Sequence, residues 1–183
     1  MKNEPYDKDS RERDLDALHQ LTLQPPAVFI KLTVDICARN GIALVIVPEI
    51  PGTRAAGATK WLSQHKAMVM LSGRYKTDDQ LWFTFFHELC HVMRHSKRSV
   101  WIEADDGRKD PSEVEADEFA RDLLIPPDAA KRLPQLRKLD EIRQFAEEIG
   151  IAPGIVVGRM QREGLLNYRT GNKLKQSIGL SEA

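Results

Sequence analysis

Two histidines four residues apart, with a glutamate beside the first, stand in the segment WFTFFHELCHVMRH at 82–95: His87, Glu88 and His91. On a helix, residues i and i+4 project from one face, one turn apart. Two imidazoles so placed can share one zinc ion. Glu88 lies on the flank of that face, where a carboxylate can take a proton from a metal-activated water. The chemistry implied is metal-assisted hydrolysis, with His87 and His91 as ligands and Glu88 as the general base. Cys90 falls between the histidines, but its position turns it away from their face, so it reads as a small core thiol.

A hydrolytic zinc site usually takes three protein ligands and keeps a fourth position open. Glu113 is the favoured third ligand, in the first turn of the next expected helix. Asp117 follows one turn on, where it could orient a ligating histidine, an E-x-x-x-D arrangement that matches thermolysin-like zinc peptidases. Glu115, on another side of the same helix, is the second choice. His95 continues the series His87, His91, but three successive turns span roughly 12 Å of axis, too far for one ion to touch all three. It is better read as a group behind a ligand or at the helix end. Arg74 and Tyr75 follow a strand and could line the cleft.

These groups need elements to hold them. The apolar residues Leu81, Trp82, Phe83, Phe85 and Phe86 suit a buried helix at about 78–95, capped by Thr77-Asp78-Asp79. Pro111-Ser112 opens a second helix to residue 124, with Val114, Ala116, Phe119, Ala120, Leu123 and Leu124 toward the core. The run IALVIV at 42–47 is continuous and β-branched, hence a buried strand. Residues 58–63 and 67–72 read as a hairpin across Gln64-His65-Lys66. Its 67–71 strand offers an edge on which an extended peptide could add. Pro25-Pro26 starts a helix at 27–40 that Asn40-Gly41 ends. Residues 11–23 carry a weak leucine stripe, and the polar stretch 96–111 reads as a loop. His19 and His65 look like surface residues. Residues 142–163 mimic helix-turn-helix punctuation, but Ile155, Val156, Val157 and Met160 make the second helix a core element rather than a DNA reader.

Composition narrows the class. The chain has 183 residues, 42% hydrophobic and 30% charged, ordinary for one globular domain with a real core. Lys+Arg and Asp+Glu are 27 each, and this zero net charge argues against a nucleic-acid or membrane-surface role. No apolar run approaches the roughly 20 residues of a membrane span. The start, MKNEPYDKDSRERD, is too polar for a signal peptide. Two cysteines, Cys37 and Cys90, give no disulfide framework, so a cytoplasmic location is the simplest.

H-E-x-x-H with a further His four residues on, followed by Glu113, Ala116, Phe119, Ala120, Leu123, Leu124 and Pro126, resembles the ImmA/IrrE family of zinc metallo-endopeptidases. The stretches TKWLSQHKAMVMLSGRYKTDDQLWFTFFHELCHVMRH and FAEEIGIAPGIVVGRMQREGLL are similar to a narrower group, the metallopeptidase-like C-terminal region of large HigA-like antitoxins. The resemblance covers about residues 25–170. It implies an α+β, zincin-like fold: a small, mostly antiparallel sheet on the H-E-x-x-H helix, with a helical C-terminal lobe. It implies one zinc per chain on His87, His91 and Glu113, with Glu88 as base. The implied partner is a helix-turn-helix repressor to be cut, or a toxin or repressor held without cutting.

The antitoxins begin with a DNA-binding domain, for which the residues before Pro25 leave no room. Specific DNA binding is therefore expected only through a partner, unless the chain is a piece of a longer antitoxin. Cys90 stands where Gly is usual in the family. The organisation expected is a charged, loosely ordered segment at 1–24, the metallopeptidase-like domain at 25–170 and a tail at 171–183.

Overall fold

Alternation in the strand Lys66–Ser72 buries Ala67, Val69 and Leu71 on one face, and the rest of the sheet is laid out from it. The structure is a computed structural model and describes residues 8–48, 55–73, 76–95, 100–104 and 110–179. The strands β1 (Ile42–Val47), β2 (Ala55–Ser63), β3 (Lys66–Ser72) and β4 (Val100–Ala104) form one sheet in the order β1-β3-β2-β4. β3 runs parallel to β1 and antiparallel to β2, and β2 runs antiparallel to β4. The helices are α1 (Lys8–Gln20), α2 (Pro26–Arg39), α3 (Asp78–Arg94), α4 (Pro111–Leu124), the single turn α5 (Pro127–Ala130), α6 (Leu139–Ile149) and α7 (Pro153–Arg162). The fold is α+β, with a small, mostly antiparallel sheet and a helical C-terminal lobe.

The sheet differs from the expectation in two respects. Residues 67–71 are not an edge: β3 is paired on both sides, and the open edges belong to β1 and β4. A hairpin pattern reveals the antiparallel partner but not the parallel one, which arrives from β1. The stretch 96–111 is not all loop, because Val100–Ala104 adds β4 to β2.

α3 is the centre of the molecule. It packs on β2 and β3 from one side and on α4 and α7 from the other. Trp82, Phe85 and Phe86 are fully buried. Trp82 meets Phe29 of α2 at 4.9 Å and stacks on Phe86 at 5.7 Å between ring centroids. Truncating one of these rings to alanine costs about 3–5 kcal/mol. A helix enclosed this way has its polar residues buried too, and those polar residues are the site.

The expected core face of the second site helix, α4, shifts in phase. On α4 the buried face is Ala116, Ala120 and Leu124, whereas Val114 is exposed and Phe119 half-buried. That phase turns Glu113 and Asp117 toward α3. On α2, Phe29, Thr33, Ile36 and Cys37 are buried, and Val28 and Leu32 face outward. α7 buries Ile155, Val156, Val157 and Met160 as core.

The segment 1–24 is not loose throughout. From Lys8 it forms α1, which seats Leu18 in the core. His19, read as a surface residue, is half-buried with its Nε2 3.4 Å from the Leu124 carbonyl oxygen. His65 is exposed in the β2–β3 turn. The expected tail is also docked in part. Leu174 and Ile178 are buried, and the Ile178 amide donates to the Lys76 carbonyl at 2.8 Å.

Candidate metal centre

α3 supplies His87, Glu88 and His91, all within 1% of full burial. α4 brings Glu113 and Asp117 against them. Asp110 starts that helix by accepting the Ser112 amide at 2.8 Å, with Pro111 in the first turn. His87 Nε2 and His91 Nε2 are 3.2 Å apart. Glu113 reaches both: Oε2 lies 3.0 Å from His87 Nε2 and Oε1 lies 3.5 Å from His91 Nε2. Donor atoms bonded tetrahedrally to one zinc ion, at roughly 2.0–2.2 Å, sit about 3.3 Å from one another. The three side chains are thus already spaced as ligands around a common point. Burial favours the neutral His91 ring, against the pull of Glu113. Burial would raise the Glu113 carboxyl, but its bonds to His87 and His91 outweigh it and hold it at about 2. Neutral imidazoles and an ionised carboxylate are the forms that bind a divalent cation.

The far side of each ring is also engaged. His87 Nδ1 lies 3.0 Å from Asp117 Oδ1. An ionised carboxylate only accepts, so the Asp117 contact suits the tautomer with its hydrogen on Nδ1, the one whose Nε2 lone pair can take a cation. Arg162 of α7 stands 3.5 Å behind Asp117 Oδ2 and lies over the Phe83 ring at 4.6 Å. His91 Nδ1 lies 2.7 Å from His95 Nδ1. His95 Nε2 lies 3.3 Å from Glu115 Oε2, and Arg94 Nη1 donates to Glu115 Oε1 at 3.0 Å. His95 therefore sits behind His91, at the C-cap of α3, not in the converging group. Glu115 belongs to that outer chain as well. Both rivals for the third position face away from the point where His87, His91 and Glu113 meet. Arg74 and Tyr75 lie outside the described residues.

Cys90 is a buried core thiol, as expected, and it also has two polar neighbours. It is fully buried, and its sulfur, a ring nitrogen of His95 and a carboxylate oxygen of Glu115 lie within 4.8 Å of one another. Burial pushes its thiol up to about 11, with Arg94 pulling down and Glu115 pulling up.

Two residues that the sequence reading did not single out position Glu88. Thr59 of β2, fully buried, donates its hydroxyl to Glu88 Oε2 at 2.6 Å. Gly57 lies two residues earlier on the same face of the strand. A Cβ there would come within 2.6 Å of Glu88 Oε1 and 2.8 Å of Thr84 Cγ2. The signal was available in A-G-A-T: small residues at i and i+2 mark the strand face that a helix approaches closely.

The site can thus gather two imidazoles and a carboxylate about one cation, beside a second carboxylate held in a fixed rotamer. Among the described residues, no helix is long and apolar enough to cross a membrane. No curated protein shows significant similarity to the chain. A family model does match, over residues 45–161, and that span runs from β1 through α7 and takes in both helices of the cluster. The chain therefore belongs to the M78 peptidase family, through an IrrE N-terminal-like domain.

Proposed function

We propose that the protein is a zinc-dependent endopeptidase of the ImmA/IrrE kind, with one zinc ion held by His87, His91 and Glu113. The observation that carries this reading is the mutual 3.0–3.5 Å spacing of those three side chains, each histidine fixed from behind. The donor set of two imidazoles and one carboxylate is that of hydrolytic zinc sites. The ion would supply Lewis acidity toward water and toward the scissile carbonyl. Glu88 takes the proton from the attacking water and returns it to the leaving amine. Thr59 and Gly57 hold the Glu88 carboxylate on one trajectory, and Asp117 and His95 keep the ligating rings oriented. The substrate proposed is a cytoplasmic helix-turn-helix repressor or a related regulator, which the resemblance to this family supports. DNA would be touched through that partner and not by this chain.

A second reading keeps the zinc and omits turnover: a module that holds a toxin or repressor. The observation favouring it is that Glu88 is fully buried beneath β2, its carboxylate already hydrogen-bonded to Thr59. Incubation of zinc-loaded protein with candidate helix-turn-helix regulators separates the two. The first reading expects one defined cut, absent with Glu88→Gln, which keeps its zinc. A tight complex with no cut by wild type supports the second. Absence of metal from purified wild type and from zinc-reconstituted protein overturns both.

A further inference from the structure

Among the described residues, one set of side chains outside the cluster just described has the make-up of a metal site. The geometry points to Cys90, His95 and Glu115 as a second, weaker site for a zinc-like divalent cation, one that antagonises the first. A sulfur, a nitrogen and an oxygen within 4.8 Å of one another form a mixed donor set that zinc accepts. They come from three backbone contexts: mid-helix in α3, its C-cap, and the first turns of α4. The thiol and the ring are enclosed, at 0% and 8% exposure, while the Glu115 side chain is 47% exposed and forms the mouth.

The two sites differ in readiness. Ligand atoms around a bound zinc stand roughly 3.3–3.7 Å apart, depending on whether sulfur is among them. The first set has that spacing already. In the second, His95 Nε2 and Glu115 Oε2 stand 3.3 Å apart and the buried sulfur lies within 4.8 Å of a ring nitrogen and a carboxylate oxygen of that pair. Arg94 occupies the other oxygen of Glu115, but its side chain is 49% exposed and can turn to solvent as the ion takes its place. When the sulfur–metal bond forms, the thiol hydrogen leaves to solvent. That loss and the displacement of Arg94 from Glu115 make the second site the weaker.

The antagonism follows from the 2.7 Å contact between His91 Nδ1 and His95 Nδ1, which has room for one hydrogen. This half of the inference rests on His91 being a ligand through Nε2; the second site itself does not. A ligating His91 carries its hydrogen on Nδ1 and needs His95 Nδ1 as acceptor. A cation on His95 Nδ1 takes that lone pair. A cation on His95 Nε2 leaves a hydrogen on Nδ1, so two N–H groups face each other. Either way His91 loses the partner behind it, and such a loss costs about 10- to 100-fold in metal affinity. Linkage makes the effect mutual.

The test is a titration of the metal-free full chain with cobalt(II) alone, followed by electronic absorption. The first equivalent should give visible bands without sulfur-to-cobalt charge transfer. Further cobalt should bring in the near-ultraviolet thiolate band, and the first site should then release cobalt to a chelator about 10- to 100-fold more readily. Cys90→Ser should abolish the thiolate band and Cys37→Ser should keep it. Glu115→Gln, an exposed and shape-conserving change, should weaken the second step if Cys90→Ser does not fold. Glu113→Ala should bring the thiolate band forward to the first equivalent. The proposal is overturned if excess cobalt gives wild type no thiolate band, or if the band follows Cys37. A thiolate band without the earlier visible bands would sink the peptidase site and leave this one standing.

Discussion

Helix α3 buries a polar cluster at each end, and the two are built on opposite plans. At its N-terminus Asp78 and Asp79 are 0% and 7% exposed. Lys175 Nζ meets Asp79 Oδ2 at 2.7 Å and donates to Gln161 Oε1 at 2.8 Å. Asp78 Oδ1 accepts the amides of Gln176 and Asp79. Gly154 and Gly158 of α7 leave room for the two aspartates; a Cβ on Gly158 would come within 2.2 Å of Asp79 Oδ2. Here Lys175 and two backbone amides partner one oxygen of each aspartate, while Asp78 Oδ2 and Asp79 Oδ1 are buried without a hydrogen-bond partner, and the result ties the 174–178 segment to α3. Toward the C-terminal end, two imidazoles and a carboxylate, all metal-ligating groups, converge on one point, with Asp117 and His95 behind the rings. Converging ligand groups are completed by a cation, whereas a buried lysine–aspartate pair tied to backbone amides holds without one. This distinction separates a binding site from a structural tie.

The comparison breaks first at the metal. His91→Ala should reduce bound zinc at the first site to background and abolish cleavage, while leaving the chain folded, because the lost group serves the ion more than the core. Metal analysis with circular dichroism checks both halves. Full zinc occupancy in this variant would mean that the converging donors are not the site.

The complementary cluster should respond in stability instead. Lys175→Ala strands Asp79 in a buried position, and removing one partner of such a pair costs about 3–5 kcal/mol. Chemical denaturation should show that loss, with zinc stoichiometry unchanged. A loss under about 1 kcal/mol would show Asp79 to be solvated and the tie to be loose. Gly57→Ala sharpens the contrast from the other end. It forces Glu88 aside without touching a ligand, so the zinc should stay while cleavage falls by about 100-fold, the cost of a misplacement near 1 Å. Wild-type cleavage by this variant would remove Glu88 positioning from the argument.

How much of this was legible in the sequence follows from how local each arrangement is. His87, Glu88 and His91 could be read because a single helix turn brings them together. Glu113 and Asp117 could be paired with them because both lie on one face of the next helix. Thr59 and Gly57 could not, since their role appears only when β2 meets α3. Asp78 and Asp79 were read as caps, and that was half the answer. Thr77 sits at the N-cap without a side-chain cap bond, and Asp78 accepts the Asp79 amide instead. Lys175 and Gln161, far along the chain, complete the cluster. β4 was hidden because five residues of strand inside a polar run carry too short a pattern, and an edge strand borrows its register from its neighbour.

The smallest effect expected is a pH dependence confined to the N-terminal cluster. Burial, helped by the charge of Asp79 and resisted by the amide of Gln176, raises Asp78 from its ordinary 3.8 to about 6. The folded chain then binds this proton more tightly than the unfolded chain does. The stability it contributes is complete below the ordinary value and is lost as pH rises toward about 6. Asp78→Asn keeps an oxygen to accept the Gln176 and Asp79 amides and has no charge to bury. The variant should gain on wild type by about 1–3 kcal/mol between pH 4 and pH 7, as read from denaturation midpoints at matched pH. Taking the difference between the two proteins cancels every other titrating group, including Glu113, whose lowered value has the opposite slope. A flat difference across that range would mean that water reaches the Asp78 carboxylate. The N-terminal cluster would then owe its closure to Lys175 and Asp79 alone.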